Sequence, residues 1–381
     1  MTGLPDVTPI EAIPNGARSL DGNLFWSEDV FADDMERLFA TLWIPAGHAT
    51  DIPKPGDFFV RTIGRDSILV VRGKDDTVRA FYNICRHRGS RLVLEDEGHL
   101  DRVLCPYHAW AYGLDGGLLK APLIESRSDF KRQDYGLNTV RLEEWNGVLF
   151  ICLSQDTQPL NEQLAGVPDF SHYSLADLRL AHRIEYDVEA NWKIICENYG
   201  ECYHCPLAHP QLNRVSDFRN VGWSVKGALW NGGPMEVNDG FNTMSNSGKS
   251  KFQPLSPRAE DGNKIHYYHL YPNLLFSVAP DYLMTHTLWP LAPNKTRVIC
   301  TWLFAPSEME RESFDPSDVI DFWDLTNRQD WELCARVQQG TGSRGYQQGP
   351  YQDMEVCVYT FDAWYLQHMG HAGVAENGGV G

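Results

Sequence analysis

Residues 83–116 read NICRHRGSRLVLEDEGHLDRVLCPYHAWAYGLDG, and four side chains in this stretch decide how the surrounding chain folds. Cys85-x-His87 is followed, with seventeen residues between His87 and Cys105, by Cys105-x-x-His108. Each pair ends a strand-like run, RAFYN before the first and DRVL before the second, so two turns can aim their ligands at one point. Two Cys and two His hold either one tetrahedral zinc or a [2Fe–2S] cluster with both thiolates on one iron and both imidazoles on the other. The spacing alone leaves both open, although Cys-x-His is tighter than the usual zinc pairing.

Working outward, FFVRTI (58–63), SILVVR (67–72), VRAFYN (78–83) and GVLFICL (147–153) are short β-rich runs separated by turn signals at Gly64, Asp75-Asp76 and Asp115-Gly116-Gly117. They predict a small antiparallel β domain around the four ligands. Upstream, Val30, Phe31, Met35, Leu38, Phe39 and Leu42 recur near a 3.6-residue period and predict an amphipathic helix over 28–43. Downstream the texture is mixed, with helices near 190–204 and 316–339 and strands at 264–271, 274–279 and 297–305, as in a larger α+β domain. The polar stretch 234–263 is expected to be a long loop, and the tail after His371 is expected to fray.

Composition narrows the function. The 381 residues suggest two modules, and 43% hydrophobic with 12% aromatic residues supply a packed core. A formal net charge of −18 repels phosphate backbones and anionic lipid, which argues against nucleic acid as a partner. No apolar run approaches the roughly 20 residues that cross a bilayer, and the opening MTGLPDVTPIEAIPNG has neither a basic n-region nor an apolar h-region, so a cytoplasmic protein with no membrane contact is expected. Nine cysteines, with Cys196, Cys202 and Cys205 crowded beside histidines, are unlike a disulfide framework and point to metal chemistry.

A second constellation lies in NWKIICENYGECYHCPLAHP, residues 191–210. On a helix, Trp192, Ile195, Cys196 and Tyr199 form an apolar face while Glu197, Glu201 and His204 form a polar stripe at i, i+4 and i+7. Pro206 is expected to end that helix near Cys205 and let His209 come round from the next turn. Two His and one carboxylate make the facial triad that leaves positions open on Fe(II). Along 316–339, Trp323, Asp330, Cys334 and Val337 share one line, so Asp330 is the acid on the apolar side, while Asp321 and Asp324 face solvent. A zinc site from Cys202, Cys205, His204 and His209 is disfavoured because Cys202 and His204 would point to different helix sides. Heme is disfavoured by the lack of a C-x-x-C-H sequence.

CRHRG and CPYHAW at this separation resemble the Rieske motif of the Rieske non-heme iron oxygenases, and ENYGECYHCPLAH is similar, position for position, to that family's E-N-x-x-[DE]-x-Y-H-x4-H. The resemblance implies an α+β chain: a helical segment (1–43) packing on the catalytic domain, an antiparallel β Rieske domain (44–155), and an α+β catalytic domain with helices over an antiparallel sheet (156–381). It implies that Cys85, His87, Cys105 and His108 hold a [2Fe–2S] cluster shielded by Trp110 and Tyr112. His204, His209 and Asp330 would bind mononuclear Fe(2+), with Asn198 nearby. In the family, the acid three residues before the first His joins two subunits of a head-to-tail homotrimer; carried over, Glu201 accepts from His204 and from His108 of the partner subunit. A plainer role for Glu201 is to orient His204 alone. Glutamate here, where many members have aspartate, resembles the subgroup acting on betaine- and carnitine-like compounds.

The expected chemistry is O2 activation at Fe(II) and hydroxylation of a C–H next to nitrogen, giving oxidative N-dealkylation of a quaternary amine or a xenobiotic amine or amide. The chain has no G-x-G-x-x-G turn and no flavin or nicotinamide module, so electrons from NAD(P)H are expected through a separate reductase, directly or by way of a ferredoxin. Trp223, Trp230, Tyr267, Tyr268, Phe276, Tyr282 and Trp289 are candidates for pocket walls. Two other readings are an aromatic-ring hydroxylating dioxygenase and, outside enzymes, a Rieske electron carrier or redox sensor. The last explains residues 85–108 and leaves His204 and His209 without a purpose.

Overall fold

The computed structural model describes residues 8–219 and 224–371. Its contacts divide the chain into two compact units, one of residues 38–157 and one that joins the residues up to Arg37 with those from Gln158 onward. The expected fraying after His371 falls outside the described residues.

The first unit is antiparallel throughout. Seven strands run in the order Ile44–His48, Val148–Cys152, Thr139–Trp145, Val78–Tyr82, Asp66–Arg72, Asp57–Ile63 and Glu97–His99, and Val103–Leu104, Ala111–Tyr112 and Leu118–Lys120 form a smaller sheet. Phe58, Leu69, Val71 and Phe81 pack with Trp110, Tyr112 and Leu118 into one core that also buries Cys85 and Cys105. The β-rich runs at 58–63, 67–72, 78–83 and 147–153 are all strands here.

The second unit is built on an eight-stranded antiparallel sheet, in the order Thr8–Pro9, Val225–Lys226, Trp230–Glu236, Lys264–Leu270, Leu274–Val278, Leu283–Ala292, Lys295–Phe304 and Arg179–Val188. Leu274–Val278 is buried at every position, as a central strand covered on both faces must be. Arg179–Val188 at the edge has only Tyr186 and Val188 buried. Four helices position the site: α1 (Glu28–Asp34), α2 (Trp192–Tyr199), α3 (Ser317–Thr341) and α4 (Val356–Met369), with α2 packed against both α3 and α4. The amphipathic segment at 28–43 is α-helical over α1 and continues as a π turn, Met35–Phe39.

Two anchors fix the start of α2. Asn191 is its N-cap, accepting from the Lys193 amide at 3.0 Å and donating to the Pro293 carbonyl at 2.6 Å. Lys193 and Asp34, both fully buried, pair at 2.6 Å, and Asp34 also accepts from Trp192 Nε1 at 3.0 Å and Tyr365 Oη at 2.8 Å. Every oxygen of this buried carboxylate is thus partnered. Of the stretch 234–263 expected as a loop, Pro234–Glu236 instead belong to the strand Trp230–Glu236, and the rest is a loop with one 3-10 turn at Ala259–Asp261, held where Thr243 and Ser250 donate to the buried Asp281 and Tyr282 donates to the Met244 carbonyl.

Candidate functional site

In the first unit two turns of different sequence adopt the same hydrogen-bond pattern. The Cys85 amide donates to the Ser90 carbonyl and the Gly89 amide to the Cys85 carbonyl; the Cys105 amide donates to the Trp110 carbonyl and the Ala109 amide to the Cys105 carbonyl. In each loop the residue four after cysteine has positive φ, 70° at Gly89 and 55° at Ala109. Glycine takes that conformation freely, whereas alanine pays about 1–2 kcal/mol for it. The turns bring the two thiols within hydrogen-bonding reach of each other and set the His87 and His108 rings 4.7 Å apart.

The donor set fits a [2Fe–2S] cluster. Both cysteines are buried and both histidines exposed. Burial works against the Cys105 thiolate, but the amides of Tyr107 and His108 outweigh it and draw its pKa below the ordinary thiol value. Burial dominates at Cys85 and pushes its thiol up. Tyr112 Oη accepts from the Arg86 amide at 3.0 Å and lies 3.2 Å from Cys85 Sγ, within hydrogen-bonding reach of it. Trp110 stacks on His87 at 5.0 Å, nearly parallel, so both expected shielding residues stand against the ligands.

In the second unit His204, His209 and Asp330 turn one ligand atom each to a common point. His204 Nε2 lies 3.2 Å from Asp330 Oδ1, His209 Nε2 lies 2.8 Å from it, and the two Nε2 atoms are 3.2 Å apart. Adjacent ligands about 2.1 Å from one ion sit at such separations. Both Nδ1 atoms are engaged behind the site, His204 with Glu201 Oε1 at 2.5 Å and His209 with Gln329 Oε1 at 2.8 Å, so each ring presents its Nε2 lone pair forward. Asn198 Nδ2 donates to Asp330 Oδ1 at 3.2 Å. Three acceptors this close repel unless a proton or cation lies among them. Burial opposes the His204 imidazolium, yet Asp330 and Glu201 prevail and raise its pKa to about 10. Burial likewise opposes the Asp330 carboxylate, and the two histidines pull it below the ordinary range.

The backbone reaches this geometry by a different route from the single helix expected near 190–204. Helix α2 stops at Tyr199, where the Gly200 amide closes on the Cys196 and Glu197 carbonyls, so Glu201 and His204 do not continue a helical stripe. Glu201 instead folds over the turn, its Oε2 accepting from the Tyr203 and His204 amides. Pro206 does not end a helix but opens a short one, Cys205–Ala208, where its missing N–H costs nothing. Cys202 and Cys205, whose crowding beside histidines pointed to metal chemistry and not to a disulfide framework, form a disulfide that clamps this turn around His204. Both thiols are thereby withdrawn from any zinc site. Val337, expected on the apolar line of α3, is 46% exposed, while Trp323, Asp330 and Cys334 face inward.

The ligand atoms border a cavity of about 150 Å³. Of the expected wall aromatics only Tyr267 lines it; Trp230, Tyr268, Phe276, Tyr282 and Trp289 are buried core side chains, and Trp223 lies outside the described residues. The walls that sequence reading missed are Tyr199, Trp323 and Trp331, with Met235, Met244, Met284 and Met354. Among the described residues no helix is long and apolar enough to cross a membrane.

Comparison with known proteins places this architecture. Residues 42–139 match the Rieske [2Fe-2S] domain, and residues 175–371 match the ring hydroxylating alpha subunit catalytic domain. The chain is 31% identical to the glycine betaine monooxygenase oxygenase subunit of Pseudomonas aeruginosa over 92% of its own length and 89% of that protein. It is 32% identical to the carnitine monooxygenase oxygenase subunit of Escherichia coli K12, covering 88% and 87% respectively. The crystal structure of the quaternary ammonium Rieske monooxygenase CntA in complex with its substrate L-carnitine superposes with a TM-score of 0.77 at 26% identity, over 94% of this chain and all of that one. The chain belongs to the Rieske oxygenases, as an alpha subunit related to the glycine betaine and carnitine monooxygenases.

Proposed function

We propose that this chain is the terminal oxygenase of a Rieske monooxygenase that removes an N-methyl or N-alkyl group oxidatively. Its family carries a Rieske cluster and a catalytic iron, and an oxygenase subunit implies a partner reductase. In this reading Cys85, His87, Cys105 and His108 hold the cluster and His204, His209 and Asp330 the iron. Electrons come singly from NAD(P)H through a separate cytoplasmic reductase. The convergence of His204, His209 and Asp330 at the edge of an apolar cavity carries the reading. When bound, iron and cluster supply open coordination positions for dioxygen and one-electron reduction.

The chain's own residues supply orientation and exclusion of water. Glu201 and Gln329 hold the Nδ1 protons of the two histidines, and Asn198 steadies Asp330. Leu212, Leu275 and Met284, all buried, give the cavity apolar walls. One oxygen atom enters a C–H bond next to nitrogen; the other leaves as water with two electrons and two protons. The resulting carbinolamine splits into the dealkylated nitrogen and an aldehyde.

The exposed His108 ring and Glu201, 13% exposed, support an electron route between subunits of a head-to-tail trimer, from the partner subunit's His108 to Glu201. Glu201→Gln should then keep both metals and slow single-turnover electron transfer to iron; unchanged kinetics remove the bridging role. The reading as a whole is tested by screening the iron-loaded, reduced protein against N-methyl and N-alkyl compounds. Aldehyde should form, and His204→Ala should abolish it while cluster absorbance persists. A cis-diol without aldehyde would assign ring dihydroxylation instead, and electron transfer to an external acceptor untouched by His204→Ala, with no product, would assign a carrier.

A further inference from the structure

Apart from the His204 imidazole at the proposed metal position, the charged side chains around the cavity are acidic. Among the described residues lining it, Glu201 and Asp330 are the only acidic ones and there is no lysine or arginine. The residues outside the description, 1–7, 220–223 and 372–381, contain none either. The two other histidines on the wall do not compensate. His269 donates to the Pro272 carbonyl and His286 engages Asn327, and burial depresses both to about 4, so each is neutral at physiological pH. A divalent iron balanced by Asp330 and Glu201 leaves no surplus positive charge.

Much of the remaining surface is soft and apolar, interrupted by neutral polar side chains at Asn198, Asn231, Thr326 and Asn327. Met235, Met244, Met284 and Met354 line this one cavity, half of the eight methionines in the chain. Methionine adapts its shape and makes favourable sulfur contacts with aromatic rings. Tyr199, Tyr267 and Trp323 stand edge to face in succession, at 6.1 and 6.5 Å. The phenol of Tyr199 is tied to Ser277 and the indole N–H of Trp323 to Tyr282, so these two rings offer faces rather than donors. A carboxylate brought among these walls would lose its water and meet no lysine, arginine or charged histidine outside the proposed metal site.

Resting on the N-dealkylation reading and deepening it, we propose that the substrate is an uncharged N-alkyl compound with an aromatic ring, held among the four methionines, and that the cavity rejects substrates bearing a carboxylate. This separates the chain from the substrate named for the carnitine complex, which carries both an ammonium and a carboxylate. Specificity lies in what the walls lack as much as in what they offer.

The test measures binding and turnover separately on the iron-loaded protein with its cluster. N-isopropylacetanilide and its para-carboxylate form a matched pair, with L-carnitine as a third probe, and binding is read from quenching of tryptophan fluorescence. The anilide should bind at least tenfold more tightly than either acid, and Met235→Arg or, should that variant not fold, Met354→Arg should raise affinity for the para-carboxylate at least tenfold. Equal binding of the matched pair, or carnitine binding more tightly than the anilide, overturns the proposal. The two readings fail differently. An anilide that binds selectively but releases no acetone would leave this inference standing and remove dealkylation, whereas formaldehyde from carnitine at a kcat/KM matching the anilide's would do the reverse.

Discussion

His209 Nδ1 lies 2.8 Å from Oε1 of Gln329, the residue that directly precedes Asp330 on α3. One helical turn therefore supplies both a proposed metal ligand and the acceptor that fixes the ring of another. Gln329 is held in turn by Gln211 Nε2 at 2.8 Å. Removing the acceptor frees the His209 tautomer, and such outer partners typically account for 10–100-fold in metal affinity. Gln329→Leu should weaken Fe(II) or Co(II) binding by that order, measured by metal titration of the stripped protein, while Gln329→Glu should retain it. Equal affinity in wild type and Gln329→Leu would show that the ring is held by packing alone.

The Tyr112 hydroxyl beside Cys85 Sγ makes a prediction for the other centre. A donor to a cluster sulfur favours the reduced, more negative state. Tyr112→Phe keeps the ring and removes the donor. If the bond is worth about 1 kcal/mol, the one-electron potential should fall by roughly 40 mV. Protein-film voltammetry of the variant reads this directly, and an unchanged potential would show that the proton points elsewhere.

How far the sequence reveals this molecule depends on whether a signal is local. The two Cys/His pairs were legible because their turns are built from neighbouring residues, and Gly89 even marks the left-handed position. Asp330 was legible from helical periodicity. The end of α2 was not, because Glu201 caps amides with a side chain that periodicity reads as part of a helical face. The Cys202–Cys205 pairing depends on that same turn. Strand Arg179–Val188 left a trace in the alternation of Leu180, His182, Ile184, Tyr186 and Val188, and α4 left one in Gly370 at its end and in the Gln352/Glu355 capping box of the 3-10 turn that leads into it. Gln329 left none, since its role exists only where α3 meets the histidine loop.

The Lys193–Asp34 pair offers a test of how α2 is held. Both side chains are fully buried at 2.6 Å, so deleting one partner strands an uncompensated charge. Asp34→Ala should cost about 3–5 kcal/mol, and it also removes the acceptors for Trp192 and Tyr365. Replacing both residues by apolar ones of similar volume should cost much less. Urea unfolding of the catalytic unit, followed by far-UV circular dichroism, distinguishes the two. A small loss in Asp34→Ala would mean that water reaches Lys193.

Glu197 on α2 and Asp362 on α4 give the fold a pH dependence of definite sign. The two carboxyls lie within hydrogen-bonding reach, and Tyr351 donates to Asp362 Oδ2 at 2.6 Å. Burial pushes both upward, Asp362 to about 7 and Glu197 well above the carboxylate range, with repulsion between them adding to burial at Glu197; Lys193 pulls both down and Glu355 pushes both up. The folded chain therefore keeps protons that the unfolded chain releases near pH 4. Their stabilising contribution is complete below that pH and is lost as pH rises toward and through about 7, at roughly 1.4 kcal/mol per pH unit for each retained proton. Asp362→Asn keeps an acceptor for Tyr351 and removes one titration, so the difference in urea midpoint between variant and wild type should shift in the variant's favour from pH 4.5 to pH 7. A difference that stays constant across that range would mean the pair is ionised, or wetted, in the folded protein.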